Sequence, residues 1–152
     1  FVDYKVGDLI DHIDGNTICE ADHLFATRLW QNNSKVHFDI NSREDRKRLV
    51  YGGHVISLVR ALSFNGLENA QMILGINGGT HANPVFAEDT IYCWTEVLDK
   101  VDLNVRNIAA LRLRSVGTKD KSSAMKIKDD KGRYLPNIVL EFDYWVLIPK
   151  EL

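Results

Sequence analysis

Cysteine, proline and long apolar runs are scarce in this chain of 152 residues. Its two cysteines, Cys19 and Cys93, are too far apart for a Cys-x-x-Cys metal motif and suggest no disulfide framework. No uninterrupted apolar run approaches the ~20 residues that a membrane-spanning helix needs. These absences predict a cytoplasmic protein with free thiols, without a bound metal and without a membrane as partner.

Neither sign of charge is in excess, since 19 lysine and arginine residues stand against 21 aspartate and glutamate residues. A net charge of -2 gives no electrostatic reason to expect nucleic acid as a partner. The hydrophobic content of 45% is enough for one well-packed core. A single domain covering residues 1–152 is therefore predicted.

A first helix is predicted after residue 17. Thr17 and Glu20 have the spacing of a capping box, in which two side chains bond to free backbone amides at a helix start. Apolar residues then recur at helical spacing, namely Ala21, Leu24, Phe25 and Leu29. We expect this helix to end near Asn32 or Asn33, and residues 1–15 to form a lead with turns at Gly7 and Gly15.

A second helix is predicted after the pair Gly52-Gly53. Apolar residues follow at the spacing of one helix face: Val55, Leu58, Val59 and Leu62. Because Ile56 and Phe64 lie off that face, we expect the helix to be covered on most sides. Gly66 is expected to stop it.

The remainder of the chain predicts strands. Segments 70–76, 90–98 and 107–116 are apolar or rich in β-branched residues, and segment 137–148 alternates between apolar and other residues. Helices that precede strands predict an α+β domain with an antiparallel sheet packed on one nearly buried helix. The lysine-rich segment 117–134 is expected to be a solvated loop, although its lysines could also contact phosphates.

Several polar residues could carry chemistry. His37 follows the first predicted helix among amide side chains, where a histidine can serve as a general base but more often packs or caps. Gly52 and Gly53 leave backbone amides free at the positive end of a helix, a natural place for a carbonyl oxygen that gains charge. A turn that requires glycine is the alternative. The stretch that contains His81 and Phe86 could line a pocket or merely connect strands.

The order of these features resembles the MaoC-type hydratases of the hot-dog fold. In that family the signature Asp-x-Asn-Pro-x-His is followed by an aliphatic residue and Asp, and a glycine later opens the central helix. His37 matches the catalytic histidine, and Asn32 stands where the catalytic aspartate is expected. Ser34 and Lys35 replace the asparagine and the proline. The departure at Asn32 leaves open which group carries the second proton.

Further positions match along the second helix. Gly52 corresponds to the glycine whose amide faces the thioester oxygen, and Ser57 to a serine further along. The resemblance therefore implies catalytic roles for His37, Asn32 and Gly52. It also implies substrate contacts at a second group of residues: Ser34, Gly53, His54, Ser57 and Phe86.

Longer segments extend the resemblance to family members about twice this length: residues 26–39, 70–100, 110–120 and 140–149. The resemblance implies a hot-dog fold, in which an antiparallel sheet wraps around a long central helix. This chain would be one half of a double hot-dog unit, the C-terminal one, or a homodimer-forming relative. The implied activity is that of a hydro-lyase, which adds water reversibly to an α,β-unsaturated acyl-CoA such as mesaconyl-CoA. No cofactor is implied, because CoA is part of the substrate.

Alternatives stay open at the level of the sequence. His37 could make both proton transfers while Asn32 holds the water, or a carboxylate could come from the other half. The chain could also be a non-catalytic half that binds acyl-CoA or dimerises, or a hot-dog thioesterase. The His-Phe-Asp sequence after the first helix favours hydration.

Overall fold

The computed structural model describes residues 1–70, 72–121 and 125–151. Two short 3-10 turns, Lys35–His37 and Ile40–Ser42, lie between the first two helices. The other elements, in chain order, are β1 (Leu9–Thr17), α1 (Glu20–Leu29), α2 (Gly52–Leu62), α3 (Phe64–Leu67), β2 (Met72–His81), β3 (Thr90–Val105), β4 (Ile108–Thr118) and β5 (Ile138–Pro149). Of the segments predicted from the sequence, Gln71 and residues 122–124 lie outside the described residues.

The five strands form one antiparallel sheet in the order β1-β3-β4-β5-β2. The sequence prediction of a lead with turns is wrong for β1, which pairs with β3. Gly15 lies inside this strand opposite Tyr92. A Cβ at Gly15 would meet the Tyr92 ring at 2.5 Å, so the glycine permits close packing and marks no turn. The inner strand β5, which lies between β4 and β2, follows its predicted alternation, with one buried face: Ile138, Leu140, Phe142, Tyr144, Val146 and Ile148.

Helix α2 packs against the inner face of this sheet. Val55 and Val59 are buried, and a Cβ on Gly117 of β4 would lie 2.8 Å from the Val59 side chain. The helix therefore rests closely on the β4 backbone. Further side chains of α2 are half-buried against the same core: Ile56, Leu58 and Leu62. The sheet with a helix packed on it confirms the predicted α+β class. The helix is less covered than predicted, with only Val55 and Val59 buried, and it ends at Leu62, before Gly66.

Helix α1 differs from its predicted form at its start. Its N-cap is Cys19, which forms no capping hydrogen bond through its side chain. The hydroxyl of Thr17 instead shares a hydrogen bond of 2.8 Å with that of Thr90, since Thr17 belongs to β1. Glu20 forms a hydrogen bond with His23 and an ion pair with Arg48. The predicted capping box is therefore wrong, because Thr17 pairs with β3 and does not cap the helix.

Helix α1 also turns a different face inward. Its buried residues are His23 and Thr27, whereas Phe25 and Leu29 are 68% and 59% exposed. The helix ends at Leu29, with Trp30 as its C-cap, earlier than predicted. No helix in the described part of the chain is long and apolar enough to cross a membrane.

A row of buried polar side chains crosses the sheet beneath α2. His12 Nδ1 donates to the Asn65 carbonyl oxygen at 2.6 Å, so its Nε2 accepts from the Thr95 hydroxyl at 2.8 Å. Hydroxyl contacts of 2.8 Å and 2.9 Å continue the row through Ser115 to Tyr144. Four neighbouring strands are thus joined by satisfied hydrogen bonds in the core.

Candidate active site

His37 is held in one orientation by its surroundings. Its Nδ1 donates a hydrogen bond to the Leu49 carbonyl oxygen at 2.8 Å. Because a carbonyl oxygen can only accept, Nδ1 carries a proton, and in the neutral imidazole Nε2 is therefore the nitrogen with the lone pair. The Tyr51 ring packs edge-on, with its centroid 5.9 Å from that of the imidazole. The result is a positioned imidazole with a basic nitrogen available.

One polar group of the Asn32 side chain is already hydrogen-bonded within the protein. Its Oδ1 accepts a hydrogen bond of 2.9 Å from the backbone N–H of Ser34, which closes a local turn. The remaining polar group of the side chain is the amide NH2, which can only donate. Asn32 can therefore bind a water molecule or a carbonyl oxygen, but it cannot exchange a proton near neutral pH.

The start of α2 offers free backbone donors. The first helical hydrogen bonds run from the N–H groups of His54 and Val55 to the Tyr51 carbonyl oxygen, at 2.9 Å and 3.4 Å. The N–H groups of Gly52 and Gly53 have no acceptor in the part of the chain that the structure describes. They lie at the positive end of the helix dipole, where an oxygen that gains negative charge is stabilised.

Close neighbours explain why both positions are glycine. Neither glycine has a positive φ, so the backbone conformation does not require it. A Cβ on Gly52 would lie 2.5 Å from Nε2 of His81, and a Cβ on Gly53 would lie 2.6 Å from the Tyr51 ring. The aromatic rings thus occupy the space that larger side chains would need.

These groups meet in a cavity of about 650 Å³. Four of the residues predicted from the sequence line it: Asn32, His37, Gly52 and Gly53. Its walls are completed largely by apolar residues such as Val50, Val55, Ile56 and Val85. No aspartate, glutamate, lysine or arginine is among the described residues that line it. The titratable side chains of the cavity are therefore those of His37, Tyr51 and His81.

The other predicted contact residues lie outside this cavity: Ser34, His54, Ser57 and Phe86. Ser34 and Ser57 are exposed. His54 and Ser57 are three residues apart on α2, so they share a side of the helix other than the one that carries Gly53 and Ile56. His54 is half-buried, and burial lowers its pKa, with the neighbouring His23 acting in the same direction.

Phe86 lies in an adjacent groove with basic side chains around its ring. The cationic groups of Arg43, Lys47 and Lys119 lie 5.5 Å, 5.7 Å and 5.8 Å from the ring centroid. Arg43 and Lys119 also form ion pairs with nearby aspartates. The ammonium group of Lys47 has no carboxylate partner among the described residues.

His81 was not singled out as a site residue from the sequence. It lies at the end of β2, and its ring reaches the start of α2. Its partial burial lowers its pKa. Spacing along the chain gave no signal, because the strand end and the helix start meet only in the folded protein. The glycine and proline residues around His81 left two interpretations open, a pocket wall and a plain strand connection.

Curated relatives of this chain are longer proteins with related names, although no protein-family model matches the chain. It is 55% identical over 148 residues to a mesaconyl-CoA hydratase from Cereibacter sphaeroides. It is 54% identical over 153 residues to a β-methylmalyl-CoA dehydratase from Chloroflexus aurantiacus. Each match covers 97% of this chain, but 43% and 44% of the respective relative. The chain thus spans less than half the length of these relatives.

Solved structures show the same relationship. A Chloroflexus aurantiacus protein, described as a MaoC domain dehydratase, superposes with a TM-score of 0.93 at 51% identity, over 99% of this chain and 44% of that one. A Mycobacterium tuberculosis protein described as a double hot-dog superposes with a TM-score of 0.67 at 18% identity, over 97% and 43%. The second likeness shows the fold alone and confirms the predicted hot-dog architecture. Over nearly its whole length the chain therefore resembles MaoC-like proteins of the hot-dog fold, and it matches about one half of its longer relatives.

Proposed function

We propose that this chain forms the active site of a hydro-lyase that reversibly adds water to an α,β-unsaturated acyl-CoA. Mesaconyl-CoA is the first substrate to consider. One observation carries the proposal: the basic Nε2 of His37 and the free N–H of Gly52 belong to the same cavity. The names of the two curated relatives support this reaction and this class of substrate.

His37 and Gly52 have separate tasks in this reaction. His37 Nε2 takes a proton from water as the water oxygen bonds to the β-carbon. The electron pair of the double bond moves towards the thioester, whose oxygen accepts a hydrogen bond from the Gly52 N–H. The imidazolium of His37 then returns the proton to the α-carbon. One water is consumed for each double bond, and His37 is regenerated.

Asn32 positions the water in this scheme. Its NH2 group donates to the water oxygen, while its Oδ1 stays bonded to the Ser34 N–H. The rival account supplies a carboxylate from a second hot-dog half. The substitution Asn32→Asp separates the two accounts: a large gain in turnover would indicate a missing carboxylate. We expect no such gain, because His37 makes both transfers.

Hydration of mesaconyl-CoA by purified variants tests the proposal. We expect His37→Ala to lower kcat about 10²–10⁴-fold, the usual contribution of a general base. Asn32→Ala should lower it about tenfold, as for one lost hydrogen bond. Asn33→Ala is the matched control, since this exposed amide does not line the cavity. Full activity of His37→Ala would refute the assignment.

Two further readouts separate the alternatives. Hydration releases no thiol, whereas a thioesterase releases one per turnover, so thiol release from acyl-CoA would indicate hydrolysis. Binding without turnover would indicate a non-catalytic half. A comparison of mesaconyl-CoA with crotonyl-CoA is also informative, because no lysine or arginine among the described cavity residues can pair with the free carboxylate of the mesaconyl group.

We further propose that a second copy, or a second hot-dog half, pairs along β2. All 10 residues of this edge strand are exposed. Four of them are large and apolar: Met72, Ile73, Leu74 and Ile76. An exposed apolar edge is a template for strand pairing, and a protein of the same fold is described as containing a double hot-dog. Light scattering should show a dimer that Ile76→Lys dissociates; a monomeric parent chain would contradict the homodimer.

A further inference from the structure

His81 belongs to the cavity but has no part in the mechanism above. Its Nε2 is the ring atom nearest to the position that a Cβ on Gly52 would take, at 2.5 Å, so the tip of the ring points at the start of α2. Its side chain has no hydrogen-bond partner among the residues that the structure describes. Polar groups at the wall of a cavity are normally satisfied by a neighbour, water or ligand. A bound substrate can therefore supply the partner.

The charge state of His81 suits a hydrogen-bond donor. Its partial burial lowers its pKa, so the ring is neutral near neutral pH. The titratable groups that share the cavity are His37 and Tyr51, and no carboxylate lines its described part to favour the charged form. A neutral imidazole carries one N–H donor and one acceptor nitrogen.

We propose that His81 donates a second hydrogen bond to the thioester oxygen, alongside the N–H of Gly52. This assignment rests on the hydration proposed above. The oxygen gains negative charge as the enolate forms, and two converging donors stabilise that charge more than one. The Nε2 atom, which points at the helix start, carries the proton in this arrangement. His37 and His81 thus divide the work, the first moving protons and the second polarising the carbonyl.

The same arrangement gives Gly52 a second role. A side chain at this position would occupy the place of the His81 ring. Glycine therefore permits the neighbouring imidazole to lie beside the free N–H at the start of α2.

Steady-state kinetics of three variants provide the first test. His81→Ala should lower kcat about 10²–10³-fold, as for one lost oxyanion donor, while KM changes less than about threefold. His81→Gln should recover at least about a tenth of the lost turnover, because its amide NH2 can still donate. The control is Asn33→Ala, an exposed residue outside β2 that does not line the cavity.

Vibrational spectroscopy gives a second readout that needs no turnover. Methylsuccinyl-CoA, the saturated counterpart of mesaconyl-CoA, cannot add water but keeps the thioester carbonyl. With a ¹³C label at that carbon, its carbonyl stretch should fall in frequency when it binds the parent chain. The frequency should move back towards the value in water for His81→Ala, and stay low for His81→Gln and Asn33→Ala.

The outcomes separate the two proposals. If the parent chain hydrates mesaconyl-CoA but His81→Ala changes neither kcat nor the carbonyl frequency, His81 is not a donor and the hydration proposal stands. If no hydration occurs but the frequency depends on His81, the donor stands and the hydration proposal fails. If His81→Gln is as impaired as His81→Ala in both readouts, the donor role is refuted. Absence of any binding of the CoA thioester refutes both.

Discussion

The two main helices, α1 of 10 residues and α2 of 11, bury opposite kinds of side chain. Helix α2 presses Val55 and Val59 against the sheet. Helix α1 buries His23 and leaves Phe25 at the surface. The comparison shows that apolar spacing predicts where a helix forms, but not which of its faces the sheet will cover.

The contacts that hold the two helices differ accordingly. α2 is held by close apolar packing on β4, as the contact between Val59 and the Gly117 backbone shows. α1 is joined to the following segment by the ion pair of Glu20 with Arg48, and its two buried residues, His23 and Thr27, are polar. His37, the proposed base, therefore follows α1, whose buried residues are polar. Gly52, the proposed oxyanion donor, begins α2, which packs its apolar side chains on the sheet.

Shortening Val59 should have the largest effect on stability. Val59→Ala leaves a void against β4, and we expect it to lower the free energy of unfolding by about 2 kcal/mol. Gly117→Ala should lower it by about 1–3 kcal/mol, because its new methyl group collides with Val59.

The double variant sharpens this prediction, because the methyl group of Ala at position 117 would fill space that Val59→Ala vacates. Its loss of stability should be smaller than the sum of the two single losses by about 1 kcal/mol, as measured by urea unfolding. Strict additivity would show that α2 does not rest on β4 at this point.

Low pH should lower the free energy of unfolding through two histidines, one on α2 and one beneath it. Burial lowers the pKa of His54 on α2 and of His12 beneath it. Protonation therefore favours the unfolded chain, so their contribution is full above the ordinary histidine pKa of about 6.5 and is lost as pH falls below it. The urea midpoint should be lower at about pH 5.5 than at about pH 7.5. His12→Gln should reduce this difference, and a midpoint independent of pH would contradict the prediction.

Enlarging Gly52 should affect activity far more than stability. The methyl group of Gly52→Ala displaces the His81 ring, which can swing outward because its side chain is exposed. We expect a loss of less than about 1 kcal/mol in stability, together with a fall in kcat like that of His81→Ala. In a His81→Ala background the collision is absent, so adding Gly52→Ala should lower kcat little further. A large additional loss of kcat would show that the added methyl group obstructs something other than the His81 ring.

Leu29 on α1 should give the smallest effect. Because the side chain is 59% exposed, Leu29→Ala should change the free energy of unfolding by no more than about 0.5 kcal/mol. Urea unfolding at two protein concentrations checks this value. A loss above about 1 kcal/mol that grows with concentration would show that a second copy covers this face in solution.

Some of the site followed from local sequence patterns and the family resemblance. These brought forward His37, Asn32 and the glycine pair, and the structure places all of them around one cavity. They did not bring forward the engagement of Asn32 with the Ser34 N–H or the position of His81. Both depend on how the segment after α1 and the end of β2 fold against the start of α2.

The sequence by itself determined the α+β class, the position of α2 and the buried face of β5, because periodic apolar residues specify a helix or a strand locally. The sequence prediction failed where one residue could belong to either of two elements. Thr17 bonds to Thr90 of β3 and does not form the predicted capping box. Tertiary structure alone decided the inward face of α1 and the approach of His81 to Gly52. The physical reason is that burial and close contact depend on which surfaces pack against each other. That packing is determined by residues far apart in the chain.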